Sequence, residues 1–441
     1  MKKYKRYKKT NVEWIGEIPE DWSVLRIKDF TYVKGRIGWQ GLRSDEFTEN
    51  TDWYCVTGTD FQNGRIDWEN CYCIEKDRFE QDKKIQLRIN DLLITKDGTI
   101  GKIALIVALP KKTTLNSGVF ITRPFRKAYM NEYMFWLLSS TVFRNYIDFT
   151  KNGSTILHLY QNVFERFIFC VPSPKEQIVI SNYLYYKISA IDKKILLLER
   201  KNIYYKELSK SLINEAVCRG LKKNVPLKES GNEWIGKIPK HWEIRRVKDS
   251  YNLFSGNSIS DKGLFENKTN SIDYVSTKDI DVETGEINYD NGVYIPKENK
   301  GFKIAKANST LICVEGANAG KKIGFSNKEV CFVNKLCSIK SSNKRNFDKY
   351  FYFFTKSTIF EKQFFSILNG LIGGVSLSSI KFFDIISPTI DEQKEIANYL
   401  DTKTKTINAI IKNITTQIVA LKELRKSVIN DIVTGKLKVS E

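Results

Sequence analysis

The chain has 441 residues, 41% of them hydrophobic and 12% aromatic, enough for folded cores and, by length, for about three domains. Its 71 Lys and Arg against 51 Asp and Glu leave a net charge of +20. That surplus argues for a polyanion such as nucleic acid as partner, or equally for the lysine-rich codons of an AT-rich genome. Eight Cys without a C-x-x-C pair, and only two His (His158 and His241), fit a zinc site poorly. A Lys/Arg-rich, then polar N-terminus is not signal-like, and no apolar stretch approaches a membrane span. The expectation is a reduced, cytosolic protein whose cysteines are packing residues.

Residues 1–10, with Lys2, Lys3, Lys5, Arg6, Lys8 and Lys9, read as a solvated tail or a weak phosphate contact. Glu13-Trp14-Ile15-Gly16-Glu17-Ile18-Pro19-Glu20-Asp21-Trp22 recurs, as Glu233 to Trp242, 220 positions on (Trp14 to Trp234). Fixed Trp, Gly and Pro suggest a clip folded on the domain it introduces, by core packing or by stacking on a ligand.

Residues 24–170 read as a mixed α/β domain. Strands are expected at Asp52–Thr57 and Asp91–Thr95, a turn at Asn63-Gly64, and one helix from Asn131 to Tyr146. Two loops hold the contact candidates. In Lys34-Gly35-Arg36-Ile37-Gly38-Trp39-Gln40-Gly41-Leu42-Arg43, glycines permit close backbone approach to a ligand. Arg36 and Arg43 suit guanine O6/N7, Gln40 suits adenine N6/N7, and Trp39 suits packing on sugar or base. Lys34 adds charge. The segment reads equally as a glycine-rich turn around a core tryptophan. The second loop, Lys96-Asp97-Gly98-Thr99-Ile100-Gly101-Lys102, suits phosphate positioning through Lys96, Thr99 and Lys102. His158 reads as a surface or packing residue.

Ser173-Pro174-Lys175-Glu176 is a helix start, with Ser173 as N-cap, Pro174 at the first helical position and Glu176 closing a capping box. Leu184, Ile188, Ile191, Ile195, Leu198, Asn202, Tyr205, Ser209, Leu212 and Ala216 follow in alternating steps of four and three, a heptad seam. Gly220 and Pro226 read as stop signals. Thr389 and Glu392 open a second such helix. Its seam is Leu400, Thr404, Ile407, Ile411, Ile414, Ile418, Leu421, Arg425, Val428 and Ile432, each 216 positions beyond its counterpart (Leu184 to Leu400). At 1.5 Å per residue each helix spans roughly 70 Å, and its stripe must be covered.

The segment between them repeats the first domain loosely. Val56–Asp60 is echoed by Val275–Asp279, which carries Lys278. Gly64-Arg65-Ile66 is echoed by Gly285-Glu286-Ile287, Gly101-Lys102 by Gly320-Lys321, and Asn152-Gly153 by Asn369-Gly370. The second copy's contact candidates are thus Asn257 and Ser258 in Ser255-Gly256-Asn257-Ser258, Lys278, and Asn318, Lys321 and Lys322. The chain is two tandem copies of clip, globular domain and long helix, with segments at 1–172, 173–221, 222–388 and 389–441. The helices match closely and the domains poorly, as expected of two unlike readers on one scaffold.

Catalytic patterns are sparse. Gly316 to Lys322 has three residues between its glycines and Lys after Gly-Lys, so it fails the phosphate-loop pattern. Asp290, Glu298 and Lys300 form an acid-x-Lys set of a kind common by chance. No Gly-x-Ser-x-Gly elbow and no Asn-Pro-Pro-aromatic stretch occurs. The chain reads as a binder without catalytic or metal-ligating residues.

The tryptophan clip, the Arg-Ile-Gly-Trp-Gln-Gly and Asp-Gly-Thr-Ile-Gly-Lys loops, and the Glu-Gln helix with its Lys-Glu-Leu together resemble the specificity (S, HsdS) subunit of type I restriction–modification systems, over essentially the whole length. The resemblance implies an α/β (α+β) fold with two target recognition domains, each reading half of a bipartite double-stranded DNA site. It implies two helices paired as an antiparallel coiled coil that spaces them. It also implies two methyltransferase (M) subunits that bind S-adenosylmethionine and methylate adenine, and two restriction (R) subunits using ATP and Mg. No cofactor is expected on this chain. The first recognition loops match the family's pattern, whereas the second domain departs from Arg-Ile-Gly-Trp-Gln. The rival readings are a coiled-coil interaction protein with incidental charge, a fused recognition–methylation enzyme, and a family member without active partners or used to change specificity by recombination.

Overall fold

The computed structural model describes residues 2–37, 41–150, 158–368 and 373–439. Contacts divide the chain into two units, Met1–Leu197 with Gln417–Glu441, and Leu198–Thr416. Both divisions fall inside the long helices, whose ranges are Pro174–Arg219 and Ile390–Val433.

In the first unit, Leu92–Thr95 lies between Ile103–Leu105 and Val119–Pro124, and Thr31–Gly35 completes an antiparallel sheet of four. Leu92, Leu93 and Ile94 are all fully buried. Both faces of that strand are covered, so its sequence is a continuous apolar run without alternation. A second sheet sets Trp53–Val56 parallel to Lys112–Leu115 and antiparallel to Tyr72–Cys73. Val56, Leu93, Ala104, Leu115, Val119 and Ile121 form one core cluster. Helical residues Phe143 and Tyr146 pack their rings on Phe167.

The expected helix over 131–146 is instead two, Asn131–Leu138 and Thr141–Thr150. Ser139 and Ser140 break it. Their hydroxyls donate to the Phe135 and Leu137 carbonyls, which also take the Ser139 and Ser140 N–H groups, and Ser140 Oγ accepts the Val142 N–H in place of a backbone carbonyl. The N-terminal residues are not a free tail. Tyr7–Lys9 pairs antiparallel with Glu17–Pro19, and Tyr4 OH donates to Glu176 Oε1 at 2.5 Å.

The second unit follows the same plan. Tyr251–Ser255, Leu336–Ser341, Ser309–Cys313 and Ile323–Ser326 make its antiparallel sheet, and Ser271–Val275 runs parallel to Val330–Phe332. Its clip strand Lys237–Pro239 pairs with Leu227–Glu229. Trp22 and Trp242, the closing residues of the two clips, are each 1% exposed, so these rings pack within their units.

Each long helix is launched by a strand: Ile168–Val171, paired with Ser23–Arg26, precedes the first, and Asp384–Ser387, paired with Glu243–Arg246, the second. The second start is a complete capping box, with Thr389 N–H on Glu392 Oε2 and Glu392 N–H on Thr389 Oγ1. The first is half of one: Glu176 N–H reaches Ser173 Oγ at 3.4 Å, but the Glu176 carboxylate takes the Tyr4 hydroxyl instead. The first helix stops at Gly220, whose φ of 76° is the left-handed conformation that ends helices.

Of the seam positions, Leu184, Ile188, Ile191, Ile195, Leu400, Ile407, Ile414 and Ile418 are buried. Leu198, Leu212, Ile411, Leu421 and Val428 are half-buried. Within the second unit Ile213, Ala216 and Val217 share a core cluster with Ile396, Ala397 and Leu400.

Candidate DNA interface

The Gly-Lys loops rest on one backbone pattern. In the first unit Gly101 N–H and Thr95 N–H donate to the Thr95 and Lys102 carbonyls at 2.9 Å each. In the second, Gly320 N–H donates to Cys313 and Cys313 N–H to Lys322, at 2.8 and 2.9 Å. A neighbouring segment closes each loop: Leu159 N–H on the Lys96 carbonyl at 2.7 Å, and Val375 N–H on Val314 at 2.9 Å. Thus Lys96 corresponds to Val314, and the bridged pair Asp97 and His158 to Glu315 and Gly374. The scaffold is held while the side chains change.

The side chains on these loops divide into free and engaged ones. Thr99 and Lys102 are exposed, as are Lys278 and Asn318, while the exposed Lys321 donates from Nζ to the Ala317 carbonyl at 3.4 Å. Lys96 is half-buried with its ammonium 5.1 Å from the Phe120 ring centre, and burial lowers its pKa. Lys322 Nζ donates to the Thr277 carbonyl at 2.8 Å. This ties its loop to the Ser276–Asp279 turn, where Asp279 Oδ2 accepts from Ser276 N–H at 2.7 Å. The matching turn in the first unit has Asp60 accepting from Thr57 N–H, also at 2.7 Å. Burial raises the Asp60 pKa although these hydrogen bonds oppose it.

Arg36 corrects the expected base contact. It is 1% exposed, with Nε on the Leu115 carbonyl at 2.8 Å and Nη1 on Gln81 Oε1 at 3.0 Å. Nη2 reaches the Arg78 carbonyl and Thr114 Oγ1 at 3.4 and 3.3 Å. Its guanidinium fork braces the domain and faces no groove, and burial depresses its pKa. Asn257, its counterpart, is half-buried, with Oδ1 accepting from Lys303 N–H at 2.9 Å, while Ser258 is exposed. The adjoining glycines serve backbone packing, not approach to a ligand. A Cβ at Gly256 would lie 1.8 Å from the Phe332 carbonyl oxygen, and one at Gly35 2.9 Å from that of Val119.

Lys34 is half-buried in its strand opposite Ile121. Arg43 is exposed, beside Leu42, whose N–H is held by Asn116 Oδ1 at 3.0 Å. Trp39 and Gln40 lie outside the described residues, as do Asn152-Gly153 and Asn369-Gly370. The sequence reading places Asp97 in the second loop and His158 at the surface or in packing, but misses their pairing and misses Tyr160. His158 Nδ1 pairs with Asp97 Oδ1, and Tyr160, 63% exposed, packs its ring against His158 at 4.6 Å. The only signal for Tyr160 was its nearness in sequence to His158 and to the end of the first domain.

No group of three or more His, Cys, Asp or Glu among the described residues is arranged to hold a metal ion. All eight cysteines are free thiols. Among the described residues no helix is long and apolar enough to cross a membrane.

The chain's duplicated α/β units, each with loops of conserved backbone and altered side chains, match the type I restriction modification DNA specificity domain twice, at residues 19–203 and 239–420. The chain belongs to that family, the specificity subunits of type I restriction–modification systems. Such subunits are the non-catalytic DNA-recognition components of those systems. The chain is similar to the MjaVIII type I restriction enzyme specificity subunit of Methanocaldococcus jannaschii, 23% identical over 96% of this chain and 94% of that one. In fold it is similar to a chain from a structure titled for complex assembly and conformational transition of the type I R-M system. That match has a TM-score of 0.66 and 16% identity, covering 95% of this chain and 99% of the other. The HsdS subunit of Thermoanaerobacter tengcongensis matches with a TM-score of 0.51 and 14% identity, over 95% and 98%.

Proposed function

We propose that each globular domain reads one half of a bipartite site on double-stranded DNA, and that the two helices pair antiparallel as a coiled coil that sets the spacing. In this reading the four segments are 1–172, 173–221, 222–388 and 389–441. Two M subunits dock on the chain and methylate adenine at N6, and two R subunits add ATP-driven cleavage, all in the cytoplasm. This chain supplies the address.

One observation carries the reading: two loops share a hydrogen-bond scaffold yet present different side chains, Asp97 and His158 against Glu315 and Gly374. Duplicated backbone with divergent surface suits two half-sites of different sequence. Support for the antiparallel pairing comes from each unit separately. In the first, Arg425 Nε reaches Asp192; in the second, Val217 and Leu400 share a cluster. Early residues of one helix accompany late residues of the other.

The test is methylation-sensitive genome sequencing of a host expressing this chain with its M subunits. A split motif with one modified adenine in each half is expected. Replacing residues 1–172 by another member's first domain should change one half of the motif only. A contiguous motif, or both halves changing together, rejects the reading.

A further inference from the structure

We infer that His158, oriented by Asp97 and backed by Tyr160, is a base-reading residue of the first domain, and that it selects a base carrying an exocyclic amino group, adenine or cytosine, in the major groove. The inference rests on the half-site reading above and names the side chain and the base chemistry that serve the first half.

The three side chains meet at one edge of the Lys96–Lys102 loop. A backbone bridge pairs Asp97 with His158, and Leu159 N–H on the Lys96 carbonyl fixes the two segments side by side. His158 Nδ1 then meets Asp97 Oδ1. Tyr160 sets its ring 4.6 Å from the imidazole, tilted by 57°. A carboxylate only accepts, so Nδ1 carries the proton and Nε2 of the neutral ring keeps its lone pair. Among the described residues no group takes Nε2, and the atom is not buried. The His158 side chain is 32% exposed. The ring is thus held in one orientation and one tautomer, with an acceptor facing solvent.

The scaffold does not require these residues. In the second unit the same bridge joins Glu315 to Gly374, and Val375 N–H makes the matching bond to Val314. Glycine stands there in place of His158, and Ser376 in place of Tyr160. Ser376 caps the short helix Leu377–Ile380 by accepting from Ser379 N–H at 3.1 Å, as its residue type favours. Tyr160 stands at the same place before Gln161–Glu165 and makes no cap bond. A tyrosine that forgoes the cap, stays exposed and covers a histidine is placed for that ring and not for the helix.

The chemistry of the set favours a base over a phosphate. Phosphate oxygens only accept, and neither the Nε2 lone pair nor the Asp97 carboxylate can donate to them. In the major groove the groups that donate are adenine N6 and cytosine N4, whereas guanine and thymine present acceptors. Thr99 and Lys102, exposed on the same loop, suit the flanking phosphates.

The experiment uses the full chain with its M subunits, in gel shifts on duplexes carrying the split motif found by methylation-sensitive sequencing. Each adenine of the first half-site is replaced in turn by purine, and each cytosine by 2-pyrimidinone, bases that lack only the amino group. One replacement should weaken wild-type binding by about fivefold, the worth of one hydrogen bond. The variant His158→Gly with Tyr160→Ser copies the second unit and is checked for folding by thermal melting. It should bind the unmodified duplex about fivefold more weakly, ignore that replacement, and keep its response to changes in the second half. Asp97→Asn frees the tautomer and should admit guanine or thymine at that position, while Tyr160→Phe keeps the ring and should behave as wild type. A double variant as sensitive as wild type to every missing amino group overturns the inference and leaves the half-site reading in place. So does equal loss of affinity for split-motif and random duplexes, or an Asp97→Asn variant as selective as wild type. A wild-type chain that yields no split motif overturns the half-site reading, and the inference with it.

Discussion

Arg425 Nε donates to Asp192 Oδ1 at 2.8 Å, joining the two long helices within the first unit. Both side chains are well exposed, 39% and 49%, so solvent screens the pair and its worth is about 0–1 kcal/mol. The buried Ile188 seam residue alongside is a different matter. Removing its side chain to Ala leaves a cavity and costs about 2–5 kcal/mol. Urea denaturation should therefore show Asp192→Ala close to wild type and Ile188→Ala strongly destabilised. The reverse order would mean that charge, not the seam, holds these helices.

Arg36 and Arg43 come from one glycine-rich loop but should fail differently. Arg36→Ala strands the buried Leu115 carbonyl and Thr114 hydroxyl, at about 1–3 kcal/mol for each group left unsatisfied. Arg43 is exposed, so Arg43→Ala should change stability by no more than about 0.5 kcal/mol. As a base contact, its loss should cost about 1–3 kcal/mol of discrimination on the specific duplex. Thermal melting and gel shift of the assembled complex separate the two effects.

That contrast shows what was legible in the chain. The helices were, because a 3.5-residue period is local and runs through ten positions, and the strand cores were, because Leu92-Leu93-Ile94 is apolar throughout. The fate of Arg36 was not, since its partners Gln81, Thr114 and Leu115 lie 45 to 79 positions away. The pairing of His158 with Asp97, 61 positions apart, was hidden for the same reason. The break at Ser139-Ser140 was signalled only by two hydroxyls within a long apolar period.

Lys102, Lys278 and Lys321 are exposed on the proposed reading loops. If they meet phosphates, each Lys→Ala change should weaken binding to specific and random duplexes alike. Each should also reduce the slope of log affinity against log salt by about 1. A slope unchanged by all three would move the phosphate track off these loops.

Acid should loosen the start of the second helix. Burial pushes the Glu392 pKa up, but hydrogen bonds from Thr389 and the nearby His241 prevail and hold it below its ordinary value. A carboxylate whose pKa is depressed on folding stabilises fully above its unfolded pKa of about 4.3, and that stabilisation is lost as pH falls through the folded value. Glu392→Ala should thus cost about 1 kcal/mol at pH 7, as for other lost caps. The difference between variant and wild-type melting temperatures should shrink between pH 5 and pH 3, measured at each pH in the same buffer series.

The proposed spacer can be lengthened by design. Insertions after Leu197 and after Thr416 fall where the contacts of the two units divide. A heptad inserted in one helix alone displaces one seam against the other, and melting should show lost stability. Matched heptads keep the seams in register and add about 10 Å each. DNA turns once in about 34–36 Å, so a single matched heptad would present the second domain to a different face of the duplex. Three matched heptads add about 31 Å, close to one full turn, and should restore binding to a site whose non-specific spacer is longer by about 9 base pairs. Methylation-sensitive sequencing reads the new spacing directly. An unchanged spacer after three matched heptads would show that the helices do not set the distance between half-sites.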